Sequence, residues 1–380
     1  MPPTAYLGAA IHDGETLRQG AALLVADDVC AGIVPEADVP PGAGRVRLAG
    51  GTLAPGFVDL QVNGGDGIML GDAIGVEGLR RIASAHARLG TAALLPTLIT
   101  DTPERTRAAL RAARAACGAG VPGVAGLHLE GPHLAAARAG AHDPALIRPM
   151  GEEDLALLCE AARDLPALMV TLAPEIVAPE QIAALSGAGA IVALGHSDAS
   201  YETCVAAARA GARVVTHLYN AMSQLGARTP GLVGAFLDTP ALRAGIIADG
   251  IHVHPAAIRT ARAARPDGLF LVTDAMATAG SDIREFRLGG RAVGREGGRL
   301  TLADGTLAGA DLEMSGAVGM AAGPCGAGEE AAVAMATGRP GRLLPGGLAG
   351  RLVEGAPFRA VHMPAPGGPV RRLGGWSEAL

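Results

Sequence analysis

The chain contains no lysine. All 31 of its basic side chains are arginines, set against 37 carboxylates for a net charge of −6 over 380 residues. Schiff-base chemistry, a phosphate-gripping P-loop lysine and a carbamylated lysine bridging two metals are thereby excluded. Aromatic residues make up 2% of the chain and no basic patch accompanies them, so the stacking platforms and cationic faces of nucleic-acid binders are missing. The five cysteines (Cys30, Cys117, Cys159, Cys204 and Cys325) are scattered and never form a CxxC pair, which implies neither a disulfide framework nor a zinc ribbon. No run of about 18 uncharged apolar residues suggests a membrane span, and Met1 to Gly20 lacks the charged start and apolar core of a secretory signal. The expectation is a cytoplasmic protein without nucleic-acid or membrane partners.

What the chain does have is apolar residues, 49% of the total, and 56 glycines, enough for a packed core with many tight turns. Between about residues 53 and 276 one pattern repeats: a short β-branched or Leu-rich run, a polar or Gly/Pro loop, then a stretch with helical period. The eight apolar runs are Leu53 to Val62, Ala92 to Leu98, Val124 to Leu129, Ala167 to Leu172, Ala190 to Leu194, Arg213 to His217, Arg243 to Ala248 and Leu269 to Thr273. Helices are expected over 76–89, 103–117, 152–163, 179–186, 200–210 and 255–264. Pro103, Pro179 and Pro255 stand near their starts, and Gly90, Gly118 and Gly211 stand where left-handed C-caps belong. Strand alternating with helix eight times predicts a (β/α)8 TIM-like barrel over 53–338. The flanks, residues 4 to 52 and 296 to 380, are short apolar runs broken by Gly and Pro and read as β structure outside Glu329 to Thr337. A small β-sandwich domain built from both chain ends, 1–52 and 339–380, follows.

A barrel of this kind works with residues at the C-terminal ends of its strands, and polar residues stand there in sequence. They are Asp59-Leu-Gln61-Val-Asn63, His128-Leu-Glu130-Gly-Pro-His133, Gly195-His196-Ser-Asp198, Thr216-His217-Leu-Tyr-Asn220, Ala248-Asp249-Gly-Ile-His252-Val-His254 and Thr273-Asp274. One histidine at a strand end is ordinarily structural; four of these six ends carry one. Glu130, His196 and His217 form the two-imidazole, one-carboxylate set of a catalytic metal site that keeps a position for water. Such a metal lowers the pKa of bound water to about 7 and polarises a carbonyl. Asp274 can act as general base and then acid, the alternative being a strand cap.

Six segments together carry a resemblance: Leu127-His-Leu-Glu-Gly-Pro-His133, Gly195-His-Ser-Asp198, Thr216-His-Leu-Tyr-Asn-Ala-Met222, Gly245-Ile-Ile-Ala-Asp-Gly-Ile-His252, Val272-Thr-Asp-Ala275 and Gly305-Thr-Leu-Ala-Gly309. From Pro55 to about Gly355 the sequence resembles the N-acetylglucosamine-6-phosphate deacetylases of the amidohydrolase superfamily. The resemblance implies that Glu130, His196 and His217 bind one divalent metal per subunit, zinc foremost, with iron, cobalt and manganese also compatible. It makes Asp274 the catalytic acid/base and His142, next to Ala141, the group that holds the acetyl carbonyl. Asn220, Ala221 and His252, with Asp249 beside it, resemble the phosphate contacts. Arg228 resembles an arginine offered by a neighbouring subunit of a homodimer, and Leu307, Ala308 and Gly309 resemble a lid over the sugar. Many amidohydrolases open their barrel with a His-x-His pair for a second metal; here Gln61 and Asn63 stand instead, so a single metal is expected. His133 stands where the family more often has an aromatic residue, as an extra ligand or a pocket wall. Asp59, Asp198 and His254 are expected in supporting or structural roles. The implied reaction is hydrolysis of the acetyl group of N-acetylglucosamine 6-phosphate, with N-acetylgalactosamine 6-phosphate or another N-acyl amino sugar as the alternative substrate.

Overall fold

The computed structural model describes residues 2–347 and 349–376. Eight parallel strands, numbered here along the barrel, pair each with the next: β1 Phe57–Val62, β2 Thr91–Ile99, β3 Leu127–Glu130, β4 Leu168–Leu172, β5 Ile191–Leu194, β6 Val214–Val215, β7 Arg243–Ile246 and β8 Leu269–Leu271. A parallel bridge between Val62 and Ala275 and a 3.1 Å hydrogen bond from the Asp274 N–H to the Gln61 carbonyl join the first strand to the last and close the barrel. All eight apolar runs of the sequence supply a barrel strand. The first run is divided, because Thr52–Pro55 belongs to a separate sheet and only Phe57–Val62 enters the barrel.

The strands carry a period of two. Leu127 and Leu129 of β3, Leu168, Val170 and Leu172 of β4, and Val192 and Leu194 of β5 belong to the core shared with the helices. The residues between them, such as His128, Glu130 and Thr171, face the barrel interior. Outside run α1 Val76–Arg88, α2 Pro103–Gly118, α3 Glu152–Asp164, α4 Pro179–Gly187, α5 Tyr201–Ala210, α6 Gly231–Asp238, α7 Pro255–Ala264 and α8 Met314–Ala322. In α1 the buried positions Leu79, Ile82, Ala83 and His86 recur at helical spacing and form the stripe that docks on the strands; burying each of the larger aliphatic side chains contributes about 1.5–3 kcal/mol. Pro103, Pro179 and Pro255 occupy first turns, and the Thr102 and Ser200 hydroxyls cap α2 and α5. Gly90 and Gly211 take the left-handed conformation expected of them (φ +94° and +124°), whereas Gly118 is the last residue of α2 and Gly120 makes the turn (φ +66°).

Two elements depart from the sequence reading. The segment after residue 296 is not wholly β outside 329–337: Met314–Ala322 is the eighth barrel helix, and α9 Gly328–Ala336 follows it. Both α6 and α8 are buried on most sides, so their sequences, GLVGAFLD and MSGAVGMAA, lack the polar face that marks a surface helix. Between β8 and α8 the chain inserts a four-stranded antiparallel sheet spanning residues 285–310, which returns to the barrel through an Ala275–Ala310 bridge.

The chain ends build two further sheets. One contains Thr4–Leu7, Ala21–Ala26, Val29–Pro35 and Gly44–Arg47; the other contains Ala10–His12, Leu17–Arg18, Thr52–Pro55, Arg359–Met363 and Arg371–Gly374. Leu23, Val25 and Cys30 of the first pack with Ile11, Leu53 and Ala360 of the second in one core, the arrangement of a sandwich. Residue 348 and the last four residues of the 339–380 segment lie outside the described residues. Among the described residues no helix is long and apolar enough to cross a membrane.

Candidate active site

At the C-terminal mouth of the barrel a cavity of about 380 Å³ is lined by Glu130, Ala141, His142, His196, His217, Asn220, Ala221, His252, Asp274, Leu307 and Gly309. The chain turns sharply as it leaves three of the strands. His196, His217 and Asp274 have φ of +46°, +29° and +50°, a conformation that costs a non-glycine residue on the order of 1–3 kcal/mol and clusters at functional sites. The segment Leu307 to Gly309 approaches closely. A Cβ on Gly309, whose φ is +65°, would stand 2.4 Å from Met276 Cε and 2.9 Å from the Asp274 carbonyl oxygen, so only glycine fits there.

The polar atoms converge tightly. His217 Nε2 lies 2.9 Å from Glu130 Oε1, His196 Nε2 lies 3.3 Å from the same oxygen, and the two Nε2 atoms are 3.1 Å apart. His196 Nδ1 is 2.8 Å from the Arg138 carbonyl and donates its proton there, so Nε2 presents a lone pair. Two imidazole nitrogens and a carboxylate oxygen gathered within 3.3 Å of one another are a donor set suited to a divalent cation. Glu130, His142 and His196 also form a compact group, their ligand atoms all within 4.8 Å of one another.

Charge follows geometry. Burial raises the Glu130 carboxyl, but His142, His196 and His217 overcome this and hold it well below the usual carboxylate range. His217 is raised in return by Glu130 and Asp274 against the effect of burial. Burial, and then the Glu130 charge, push Asp274 up to about 6. The amide of Asn63 donates to Asp274 Oδ1 at 2.7 Å, and that of Gln61 donates to the same oxygen and to Glu130 Oε1, both at 3.1 Å. Gln61 thus bridges the two acidic groups, and Asn63 holds Asp274 alone. Burial lowers His142 to about 4, leaving it neutral. Its Nδ1 accepts the Thr100 N–H at 3.3 Å, so the proton is on Nε2, 3.7 Å from Glu130 Oε2.

Three of the residues expected to contact substrate do not line this cavity. Asp249 stands behind His252: its Oδ2 lies 2.6 Å from His252 Nδ1, and its Oδ1 accepts the N–H groups of Ile251 and His252 at 2.8 Å each. Ala308 is fully buried between Leu307 and Gly309. Arg228 is exposed and lines a neighbouring surface hollow with Asp198, Tyr201 and Arg138. His133 is also away from the cavity, with Nδ1 3.1 Å from the Arg148 carbonyl, and Asp198 pairs with Arg138 at 2.7 Å. His254 caps α7 by accepting the Ala256 N–H. The sequence reading passed over Arg138, which lines the cavity and holds His196 through its carbonyl, and the apolar wall of Ile99, Met276 and Leu288. An arginine in the alanine-rich segment 135–139 carries no signal of its own, though the following Gly140, at φ +58°, marks a turn.

The amidohydrolase family model matches residues 52–360. The chain belongs to the amidohydrolase family. It is 43% identical to the N-acetylgalactosamine-6-phosphate deacetylase of Shewanella sp. (strain ANA-3), over 92% of this chain and 89% of that one. It is 33% identical to the N-acetylglucosamine-6-phosphate deacetylase of Haemophilus influenzae, over 82% and 81%. Its fold superposes on the crystal structure of N-acetylglucosamine-6-phosphate deacetylase from Pasteurella multocida with a TM-score of 0.92, at 32% identity over 98% of each chain. This amidohydrolase is an enzyme acting on carbon–nitrogen bonds, and its Glu/His cluster suits a divalent metal.

Proposed function

We propose that this amidohydrolase removes the acetyl group from N-acetylglucosamine 6-phosphate, giving glucosamine 6-phosphate and acetate. The observation that carries the reading is the convergence of Glu130, His196 and His217 beside Asp274 in one cavity. Glu130 and the Nε2 atoms of His196 and His217 would hold one divalent ion, zinc foremost, which when bound polarises a carbonyl oxygen and acidifies a water. His142, neutral and with its proton on Nε2, donates a hydrogen bond to the acetyl oxygen as charge develops there. Asp274 takes the proton of the attacking water and then gives it to the departing nitrogen. A pKa of about 6 suits both steps near neutrality. Gln61 and Asn63 fix Oδ1 of Asp274, so Oδ2 is the oxygen that carries the proton.

The phosphate lies on the side of Asn220, Ala221 and His252, whose imidazole Asp249 orients. Arg228, exposed in the single chain, completes that end from a second copy, making the active unit a homodimer; a guanidinium grips phosphate through paired hydrogen bonds. A phosphorylated sugar does not cross membranes unaided, which supports a cytoplasmic setting. The 43% identity to a galactosamine-type enzyme favours a second reading, in which N-acetylgalactosamine 6-phosphate is the better substrate of the same machinery. Side-by-side kcat/KM values for the two phosphorylated sugars and for unphosphorylated N-acetylglucosamine test both readings. The proposal expects the gluco phosphate to lead and the unphosphorylated sugar to trail by orders of magnitude. A galacto lead replaces the substrate, and no acetate from either phosphate refutes the activity.

A further inference from the structure

A second hollow of about 260 Å³, open to solvent on the side of the exposed Asp72, Arg105, Asp143 and Arg291, adjoins the catalytic cavity, and the two share the wall formed by Asn63, Ile99 and Leu288. Ile99 is the last residue of β2 and lies level with Glu130 on the neighbouring strand. Leu288 ends the first strand of the insertion and is 4% exposed. Asn63 is tied to Asp274 through its Nδ2, while its Oδ1 is buried without a hydrogen-bond partner. Thr100, whose N–H and hydroxyl engage His142 Nδ1, lines the hollow from the other side. The partition therefore adjoins the groups that would hold the acyl carbonyl, and the sugar phosphate end lies away from it, at Asn220 and His252.

We propose that Ile99 and Leu288 set the length of the acyl group the enzyme accepts, and that the hollow beyond them is an annex closed to acetyl but large enough for longer acyl chains. This rests on the amide hydrolysis proposed above. With acetyl bound, the two aliphatic side chains meet the methyl group; a propionyl or butyryl chain would have to displace them. Shortening either side chain joins the cavities and lets the extra methylenes pass. The chemistry is unchanged: water adds to the acyl carbon, the C–N bond breaks, the proton goes to the amine, and a longer carboxylate leaves. Each methylene that a pocket fits or rejects changes kcat/KM by roughly 10- to 200-fold.

The test compares N-acetyl-, N-propionyl- and N-butyrylglucosamine 6-phosphate on the metal-loaded wild type, Ile99→Ala and Leu288→Ala. The readout is the butyryl-to-acetyl ratio of kcat/KM within each protein, from which any loss of folded enzyme cancels. In the wild type this ratio should be below about 0.01, and at least one variant should raise it about tenfold or more. A wild type that takes butyryl as readily as acetyl, or variants whose ratios both rise less than that, would overturn the proposal. Failure of the wild type to release acetate from the acetyl substrate would instead refute the deacetylase reading, so the two failures are distinct.

Discussion

Two levels of the barrel interior bury ionisable groups, and they treat them differently. In the layer below the mouth, His128 Nε2 lies 2.7 Å from the Thr171 hydroxyl, which lies 2.7 Å from that of Thr216, and Thr97 Oγ1 stands 3.3 Å from His128 Nδ1. Asp59 accepts the Thr273 hydroxyl at 2.5 Å. Burial pushes His128 down to about 4 and Asp59 up to about 7, which favours their neutral forms. None of these residues has a positive φ. Higher, at the mouth, Glu130, His196 and His217 gather with Asp274 as a group of ionisable side chains, three of the four with left-handed backbone. His217 Nδ1 and Asn63 Oδ1 are buried there without partners. Burial and polarity are common to both levels. Unmatched groups and backbone strain separate the site from its support.

The sharpest break between the levels should come from Asp274→Asn. Turnover is expected to fall by about two to four orders of magnitude while bound metal, counted by elemental analysis, stays near the wild-type amount. A variant keeping most of its activity would return Asp274 to the role of a strand cap. Next in size is Arg228→Ala, expected to lower kcat/KM roughly 10- to 100-fold, as loss of a hydrogen bond to a charged group does. Mixing it with Asp274→Asn chains should restore activity in verified hybrids; no recovery would mean that each site is complete within one chain. In the lower layer, Thr171→Val strips a partner from both His128 and Thr216. It should cost about 1–3 kcal/mol in denaturant unfolding with metal content unchanged, whereas loss of metal would erase the distinction between the levels. An effect of similar size, read through pH, belongs to Asp59. Its folded pKa of about 7 exceeds the ordinary 3.8, so the folded state holds a proton that the unfolded chain releases across that window, and stability is lost as pH rises through it. Asp59→Asn cannot titrate. Its stability relative to wild type should therefore improve by about 1–3 kcal/mol between pH 5 and pH 8; an unchanged gap would contradict a protonated Asp59.

The same division explains what could be read from the sequence. The strands, six of the outer helices and the cluster of polar residues at the strand ends were legible because each is marked by its own period or by a polar residue ending an apolar run. Asp274 and Glu130 follow such runs directly. Helices α6 and α8 were not legible, since they are enclosed and show no polar face. Ile99 and Leu288 were equally silent: an aliphatic residue closing a strand looks like any core residue until the 285–310 insertion folds back over the mouth. The unmatched Asn63 oxygen and the left-handed turns at His196 and His217 exist only in three dimensions.

The most direct test of the mouth as a metal-dependent amidase is acetate release from N-acetylglucosamine 6-phosphate by the purified protein, before and after chelation, with metal counted per chain. The account predicts one equivalent, loss of turnover as it is removed, and recovery when a divalent ion is returned. Two equivalents in the active protein, or undiminished turnover after the metal is gone, would contradict it.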